Sequence, residues 1–128
     1  MFRIFQRMIY YRVLSRGRYP QRNKCKEFTR QVQNINEISY EELLKKTKEG
    51  AVLIDVRTIQ EFREGHLQGA ILIPYFNIAK EIKSKVPNKE ENIIVYCKNG
   101  GRSLTAYEIL KNLGYNNVFN LKGGIEGI

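Results

Sequence analysis

Short runs of apolar residues alternate along most of the chain with segments whose apolar residues recur at helical spacing. The runs at residues 51–54, 70–73 and 93–96 are continuous and rich in β-branched side chains, which is typical of strands buried on both faces. Ile38, with Ile35 nearby, predicts a short edge strand, and residues 117–120 predict a last one. The pattern therefore predicts about five short strands.

Helix signals occupy the segments between these strands. Ser39 and Glu42 have the spacing of a capping box, so a helix is expected to begin there. Leu43 and Leu44 are predicted to face inward in this helix, and Gly50 is predicted to stop it.

A second capping box, Thr58 with Glu61, predicts a short helix that turns Phe62 to the core and ends at Gly65 and His66. Apolar residues at helical spacing predict two more helices, one with Ile78, Ile82 and Val86 before Pro87, the other with Ala106, Ile109, Leu110 and Leu113 before Gly114.

Strands that alternate with helices predict the fold class. We expect an α/β fold with a central parallel sheet of about five short strands and helices on both faces. Ligands in such folds bind at the carboxyl ends of the strands. The predicted domain covers residues 35–128, and residues 1–34 form a basic N-terminal arm that ends in a linker.

Charge is distributed unevenly between these two parts. Residues 1–34 contain nine Lys or Arg and one acid, Glu27, whereas residues 35–128 contain 13 Lys or Arg and 12 acids. The formal net charge of +9 therefore belongs mainly to the arm. Because a nucleic-acid-binding domain needs a basic face on the fold itself, nucleic acid is not an expected partner.

The arm leaves three interpretations open. Residues 1–16 alternate apolar side chains with arginine, which suits a helix lying on an anionic membrane surface. An Arg-rich, acid-poor start is also typical of a transit peptide. The third interpretation is an arm packed on the domain or on a partner protein. A peripheral membrane or protein contact through residues 1–16 is thus a prediction of the sequence.

Two cysteines, Cys25 and Cys97, are too few for a disulfide framework. A lone reactive thiol suits a reducing compartment, so we expect a cytoplasmic protein, with an organellar or membrane-peripheral location through the arm as the alternative. Cys25, between two lysines, is either an idle thiol or one that resolves a sulfur adduct. Since His66 is the only histidine and no C-x-x-C pair occurs, no metal site is expected.

Cys97 lies directly after the predicted strand at 93–96 and before a turn with two adjacent glycines that leads into a helix. Such a turn directs consecutive backbone N–H groups into one anion-binding cup, and the first helical turn adds more donors. Thiols in such places ionise readily and act as nucleophiles. Lys98 and Arg102 add two cations. The structural alternative is that Cys97 is merely a small core residue.

Asp55 and Arg57 directly follow the strand at 51–54. A carboxylate and a guanidinium at a strand end either take part in catalysis or brace neighbouring loops through charge-assisted hydrogen bonds. His66, the only imidazole, would have to serve any histidine-based mechanism; we interpret it instead as a residue that braces its loop.

Four stretches together resemble the rhodanese superfamily of sulfurtransferases. The loop C-K-N-G-G-R-S at 97–103 resembles its active-site loop, and Asp55-Val56-Arg57 resembles its D-V-R. Residues 64–70, followed by Ile73-Pro74, resemble E-x-G-H-[IL]-x-G-A…[IL]-P, and 121–124 resemble the closing L-x-G-G. The match runs in order from about residue 35 to 128. The family usually continues with a tryptophan and part of a further turn, so the sequence departs from the family pattern at the predicted terminal helix.

The resemblance implies a single-domain sulfurtransferase in which Cys97 accepts sulfane sulfur as a persulfide. A small anionic donor such as thiosulfate, or a persulfide, would supply the sulfur, and a thiol or protein cysteine would accept it. No cofactor or metal is implied. Asp55, Arg57 and His66 would brace the site. The residues expected to bind substrate are Lys98, Asn99, Gly100, Gly101, Arg102 and Ser103.

Two alternatives remain beside this interpretation. Phosphatases and arsenate reductases related to the cell-cycle dual-specificity phosphatases share the expected fold, but use C-x5-R to hold a tetrahedral oxyanion. Here Cys97 and Arg102 enclose four residues, and the shorter loop favours a single sulfur atom. The other alternative is a non-catalytic docking module; such modules commonly lack the cysteine that this chain retains.

Overall fold

The computed structural model of the chain describes residues 35–128. The proposed features of residues 1–34, namely the amphipathic arm, the linker and Cys25, lie outside the described residues. The described part is an α/β fold whose five strands all pair in parallel, which confirms the predicted fold class. The strands lie in the order β1-β5-β4-β2-β3.

The regular elements follow the chain in the predicted alternation. The strands are β1 (Glu37–Ile38), β2 (Val52–Asp55), β3 (Ile71–Leu72), β4 (Asn92–Tyr96) and β5 (Asn117–Leu121). The α-helices are α1 (Tyr40–Lys48), α2 (Ile59–Glu64), α3 (Ile78–Lys85) and α4 (Gly101–Asn112). Single 3-10 turns occupy Tyr75–Asn77 and Ile125–Gly127.

The central strand β4 shows how the helices cover both faces of the sheet. Ile93 and Val95 pack on one face with residues of α3 and α4, whereas Ile94 and Tyr96 pack on the other with Leu43 of α1. These four side chains are fully buried, whereas Asn92 at the start of β4 is exposed. A strand buried on both sides needs a continuous apolar run, which is the pattern that the sequence shows.

Both predicted capping boxes are present. The Ser39 hydroxyl accepts a hydrogen bond from the Glu42 N–H at 3.2 Å, and the Glu42 carboxylate accepts one from the Ser39 N–H at 2.9 Å. Thr58 and Glu61 make the same reciprocal pair at the start of α2. Each pair supplies acceptors for backbone N–H groups that have no partner within the first turn of the helix.

Three predicted side-chain or helix features differ in the structure. Leu44 is 44% exposed, because neighbouring helix positions point about 100° apart and Leu43 already faces the core. Phe62 is only half-buried and stacks on His66, since Glu61 occupies the inward face of α2. The segment after 121–124 forms a single 3-10 turn rather than an α-helix.

Candidate active site

Cys97 follows β4 directly, at the carboxyl end of the strand in the middle of the sheet. The chain then turns through Gly100, whose φ of +110° is a conformation that favours glycine, and enters α4 at Gly101. Nothing lies within 4 Å of the position that a Cβ on Gly100 would occupy, so the backbone conformation alone calls for glycine. The turn brings the start of a 12-residue helix back over the cysteine.

The sulfur of Cys97 is surrounded by donors from this turn. The Gly100 N–H donates to Sγ at 3.0 Å, and the Ser103 N–H donates at 3.4 Å. The Cys97 thiol lies 3.5 Å from the Ser103 hydroxyl, which in turn donates to the Gly100 carbonyl at 3.1 Å. Two amides therefore donate to one atom, an arrangement that stabilises negative charge on sulfur, while the Ser103 hydroxyl oxygen accepts from the thiol.

Cys97 is also fully buried, with 0% of its surface exposed, and it packs within the apolar cluster that contains Val95 and Ala106. The sulfur thus combines a polar cup on one side with core packing on the other. Because Cys97 has no exposed surface, a reagent reaches the sulfur only when the residues that cover it move.

Arg102 is ion-paired rather than isolated. Its Nη1 donates to Glu61 Oε1 at 2.7 Å and its Nη2 to Glu61 Oε2 at 3.0 Å, a bidentate contact between α4 and α2. Burial opposes the charged form of Arg102, but the hydrogen bonds and charge of Glu61, and the charge of Cys97, raise its pKa above the usual value. Burial likewise opposes the charged form of Glu61. The hydrogen bonds and charge of Arg102, together with the hydrogen bond from the Thr58 backbone, outweigh burial and lower the pKa of Glu61 from 4.5 to about 2.

The remaining loop residues hold the turn together. Lys98 is buried, and its carbonyl accepts a hydrogen bond from the Glu126 N–H at 2.9 Å. The Asn99 side chain accepts a bond from the Gly101 N–H at 3.2 Å. Residues 97–103 therefore form one compact turn, with the two cations predicted from the sequence buried or paired at its sides.

Beneath the loop lies a buried polar network. Arg57 donates bidentately to Asp55, with its Nη2 2.7 Å from Oδ2, and the same nitrogen donates to the Gly65 carbonyl at 2.7 Å. The Tyr96 hydroxyl donates to Asp55 at 2.9 Å and accepts a bond from the Leu67 N–H at 3.0 Å. Burial and the Asp55 charge raise the pKa of Tyr96, so its hydroxyl remains a donor. The network ties β2 and β4 to the loop after α2.

His66 lies at the end of α2 and makes local contacts. Its Nδ1 is 2.8 Å from the Phe62 carbonyl, and the two rings stack with centroids 3.7 Å apart. These contacts fix the loop after α2 and are the kind expected of a bracing residue.

A second support for the site comes from the carboxyl-terminal turn. The Ile125 N–H donates to the Cys97 carbonyl at 2.9 Å, and the Glu126 N–H donates to the Lys98 carbonyl at 2.9 Å. Gly124, before this turn, lies so close to Lys98 that a Cβ would approach its carbonyl atoms at 2.5 Å. The two adjacent glycines at 123–124 indicate that the backbone there lies close to another part of the chain. The sequence does not reveal that Lys98 is that neighbour.

Two other features, a metal-binding cluster and a membrane-spanning helix, are absent from residues 35–128. No group of three or more His, Cys, Asp or Glu in this part of the chain is arranged to hold a metal ion. No helix in the same range is long and apolar enough to cross a membrane.

Comparisons with known proteins agree with this geometry. A family model for the rhodanese-like domain matches residues 39–128. The thiosulfate sulfurtransferase PspE of Escherichia coli K12 is 41% identical over 75 residues, covering 59% of this chain and 71% of that protein. A sulfurtransferase of Allochromatium vinosum is 36% identical over 93 residues, covering 71% and 85%. The solved structure described as a rhodanese with anions from E. coli is 39% identical, with a TM-score of 0.58, and the match covers 62% of this chain and 92% of that one.

Proposed function

The chain belongs to the rhodanese family, and on that premise we propose that it transfers sulfane sulfur through a persulfide on Cys97. The observation that carries the proposal is the pair of N–H groups, from Gly100 and Ser103, that converge on Sγ at the carboxyl edge of the sheet. Relatives named as thiosulfate sulfurtransferases support thiosulfate as one donor. The rhodanese solved with anions supports an anion-binding site in the family.

The reaction is a double displacement. The Cys97 thiolate attacks the outer sulfur of thiosulfate, the S–S bond breaks, and sulfite leaves with the bonding electron pair. Cys97 then carries one extra sulfur atom. An acceptor such as cyanide, a small thiol or a protein cysteine attacks that atom, and the Cys97 thiolate leaves. Because the first product departs before the acceptor binds, ping-pong kinetics are expected.

The residues around the sulfur supply the stabilisation that each step needs. The Gly100 and Ser103 amides hold the negative charge of the thiolate and then that of the leaving thiolate in the second step. Arg102 supplies a positive charge beside the donor. The proposed steps use no separate general base, because the two amides stabilise the thiolate that attacks. The reaction needs a reduced thiol, and a reducing compartment such as the cytoplasm would supply it.

Mass spectrometry of the intact protein after exposure to thiosulfate tests the proposal. We expect one added sulfur atom, released again by cyanide, in the wild type and in Cys25→Ser. Cys97→Ser is expected to show no added sulfur and no thiosulfate:cyanide turnover. Normal turnover by Cys97→Ser would refute the mechanism, and loss of the adduct in Cys25→Ser would assign the thiol to the arm instead.

The burial of Cys97 is the one observation that favours a second candidate, a docking module without turnover. The two candidates differ in whether small reagents reach the sulfur. A native protein in which thiosulfate leaves Cys97 unmodified, while the unfolded chain is labelled by a thiol reagent, would favour the docking module.

A further inference from the structure

Glu61 joins two parts of the site that the sequence alone does not connect. It lies on α2, 41 residues before Arg102, and its two carboxylate oxygens accept the two guanidinium nitrogens at 2.7 and 3.0 Å. Its side chain is 1% exposed and that of Arg102 is 11% exposed. A bidentate carboxylate–guanidinium pair with so little solvent contact fixes both side chains in one geometry.

The position of the Glu61 carboxylate is set from the other side by the capping box. Its Oε1 accepts the Thr58 N–H at 3.1 Å and the Thr58 hydroxyl at 3.1 Å. The same oxygen therefore satisfies the start of α2 and binds Arg102. Glu61 cannot follow Arg102 towards a ligand without breaking the helix cap, so the pair is anchored at its α2 end.

Charges alternate along this edge of the sheet towards the sulfur. Asp55 pairs with Arg57, and Glu61 pairs with Arg102. The charge of Arg57 helps to lower the pKa of Glu61, and the charge of Cys97 helps to raise the pKa of Arg102. An anion arriving at Cys97 therefore meets a guanidinium whose charge is already balanced by a carboxylate. The backbone amides of the turn, which carry no net charge, are left as the direct contacts of the sulfur.

We propose that Glu61 is a positioning residue that anchors Arg102 and moderates its charge, so that the site discriminates against strongly charged sulfur donors. The inference rests on the proposed function, because it concerns the donor that meets Cys97. Consider a site in which the arginine has no carboxylate partner. Compared with that site, this one is predicted to favour persulfides with little local charge over thiosulfate. Glu61 sets this preference without touching the reacting sulfur.

Alkylation of Cys97 tests the inference without requiring sulfur transfer. Iodoacetate carries a negative charge and iodoacetamide is neutral, yet both attack the same thiolate, so the ratio of their rates cancels burial and thiol reactivity. The rates are measured by mass spectrometry of the Cys97 peptide in wild type, Glu61→Gln and Glu64→Gln. Glu64 is exposed on the same helix, so its variant makes the same charge change away from the loop.

Glu61→Gln is expected to raise the iodoacetate-to-iodoacetamide ratio roughly three- to fivefold, the effect of removing one negative charge from a partly screened site. Glu64→Gln is expected to leave the ratio at the wild-type value. An unchanged or lowered ratio in Glu61→Gln overturns the inference, since Glu61 would then be irrelevant or needed to present Arg102 to anions. A thiol that neither reagent labels would also overturn it, because no small donor then reaches the sulfur.

The double variant Glu61→Gln/Arg102→Gln covers the case in which Glu61→Gln does not fold, because it removes both charges and leaves neither partner buried alone. If Glu61 balances the charge of Arg102, the iodoacetate-to-iodoacetamide ratio of the double variant is expected to stay near the wild-type value. A ratio lowered roughly three- to fivefold would show that Arg102 presents an unbalanced charge to anions, and would contradict the inference. The proposed function fails separately, if alkylation proceeds normally while thiosulfate leaves no sulfur on Cys97.

Discussion

A single methyl group added at Gly124 should disturb the loop that follows Cys97, although Gly124 is not part of that loop. A Cβ built on Gly124 lies 2.5 Å from the carbonyl carbon and oxygen of Lys98 and 2.7 Å from the nitrogen of Asn99. All three contacts are with backbone, which cannot rotate away as a flexible side chain does. Gly124→Ala therefore has to displace either the carboxyl-terminal turn or the loop that carries Cys97.

The magnitude follows from the distances and from the backbone angles. Ordinary contacts of a Cβ begin at about 3.4 Å, so the loop and the turn must separate by about 1 Å. Gly124 also has φ +65° and ψ −165°, a region that costs a residue with a side chain about 1–3 kcal/mol. A misplacement of about 1 Å at a reacting group can cost roughly 100-fold in rate. We therefore expect a loss of stability of a few kcal/mol and a much larger fractional loss of turnover.

Gly50→Ala is the matched control. Gly50 also has a positive φ, +105°, but nothing lies within 4 Å of its Cβ position, and it ends α1. Its variant should lose stability through the backbone term alone and keep wild-type turnover. Chemical unfolding and thiosulfate:cyanide kinetics, both at a temperature where all variants are folded, make the comparison. Wild-type kcat in folded Gly124→Ala would show that the carboxyl-terminal turn does not position the loop.

Three further predictions concern the supporting network and the arm. Tyr96→Phe removes a hydroxyl that joins Asp55 to the Leu67 N–H, and should cost about 2 kcal/mol in urea unfolding; an unchanged midpoint would mean that the groups find other partners. Because the pKa of Glu61 is lowered from 4.5 to about 2, its stabilisation is present above pH 4.5 and is lost as the pH falls towards 2. Glu61→Gln should flatten that part of the stability profile, which pH-dependent unfolding measures. Deleting residues 1–30 should leave turnover of small donors intact, and a large drop would show that the arm completes the site.

Much of the fold could be predicted because its signals are local. The strand at 93–96 is a continuous apolar run, and the Ser39 and Thr58 caps lie three residues from their glutamates. The turn after Cys97 could be predicted for the same reason, since glycines, cysteine and helix start are neighbours in sequence. Local chemistry thus specified where each element begins and which loop holds the thiol.

The rest depends on contacts between distant residues. Glu61 fits the capping box completely, so the sequence gives no reason to assign its carboxylate a second partner 41 residues away. The Tyr96 hydroxyl is hidden in the same way within an apolar strand pattern, although it bonds to Asp55. The lysine and arginine of the loop were expected as two available cations, whereas one is buried and the other is paired. Burial and pairing follow from packing, which no single segment encodes.

The sulfur of Cys97 is positioned by three segments that lie far apart in sequence. The turn into α4 supplies the amide donors to the sulfur, Glu61 of α2 pairs with Arg102 of the same loop, and the turn at 125–127 binds the backbone carbonyl of Cys97. Each support is a small number of hydrogen bonds, so each can weaken while the buried sheet remains folded. Cys97 has no exposed surface, so a motion that admits a donor must displace residues that cover the sulfur. Activity should therefore respond to changes in α2 and in the carboxyl-terminal turn well before global stability does, and the order of these losses identifies which support opens.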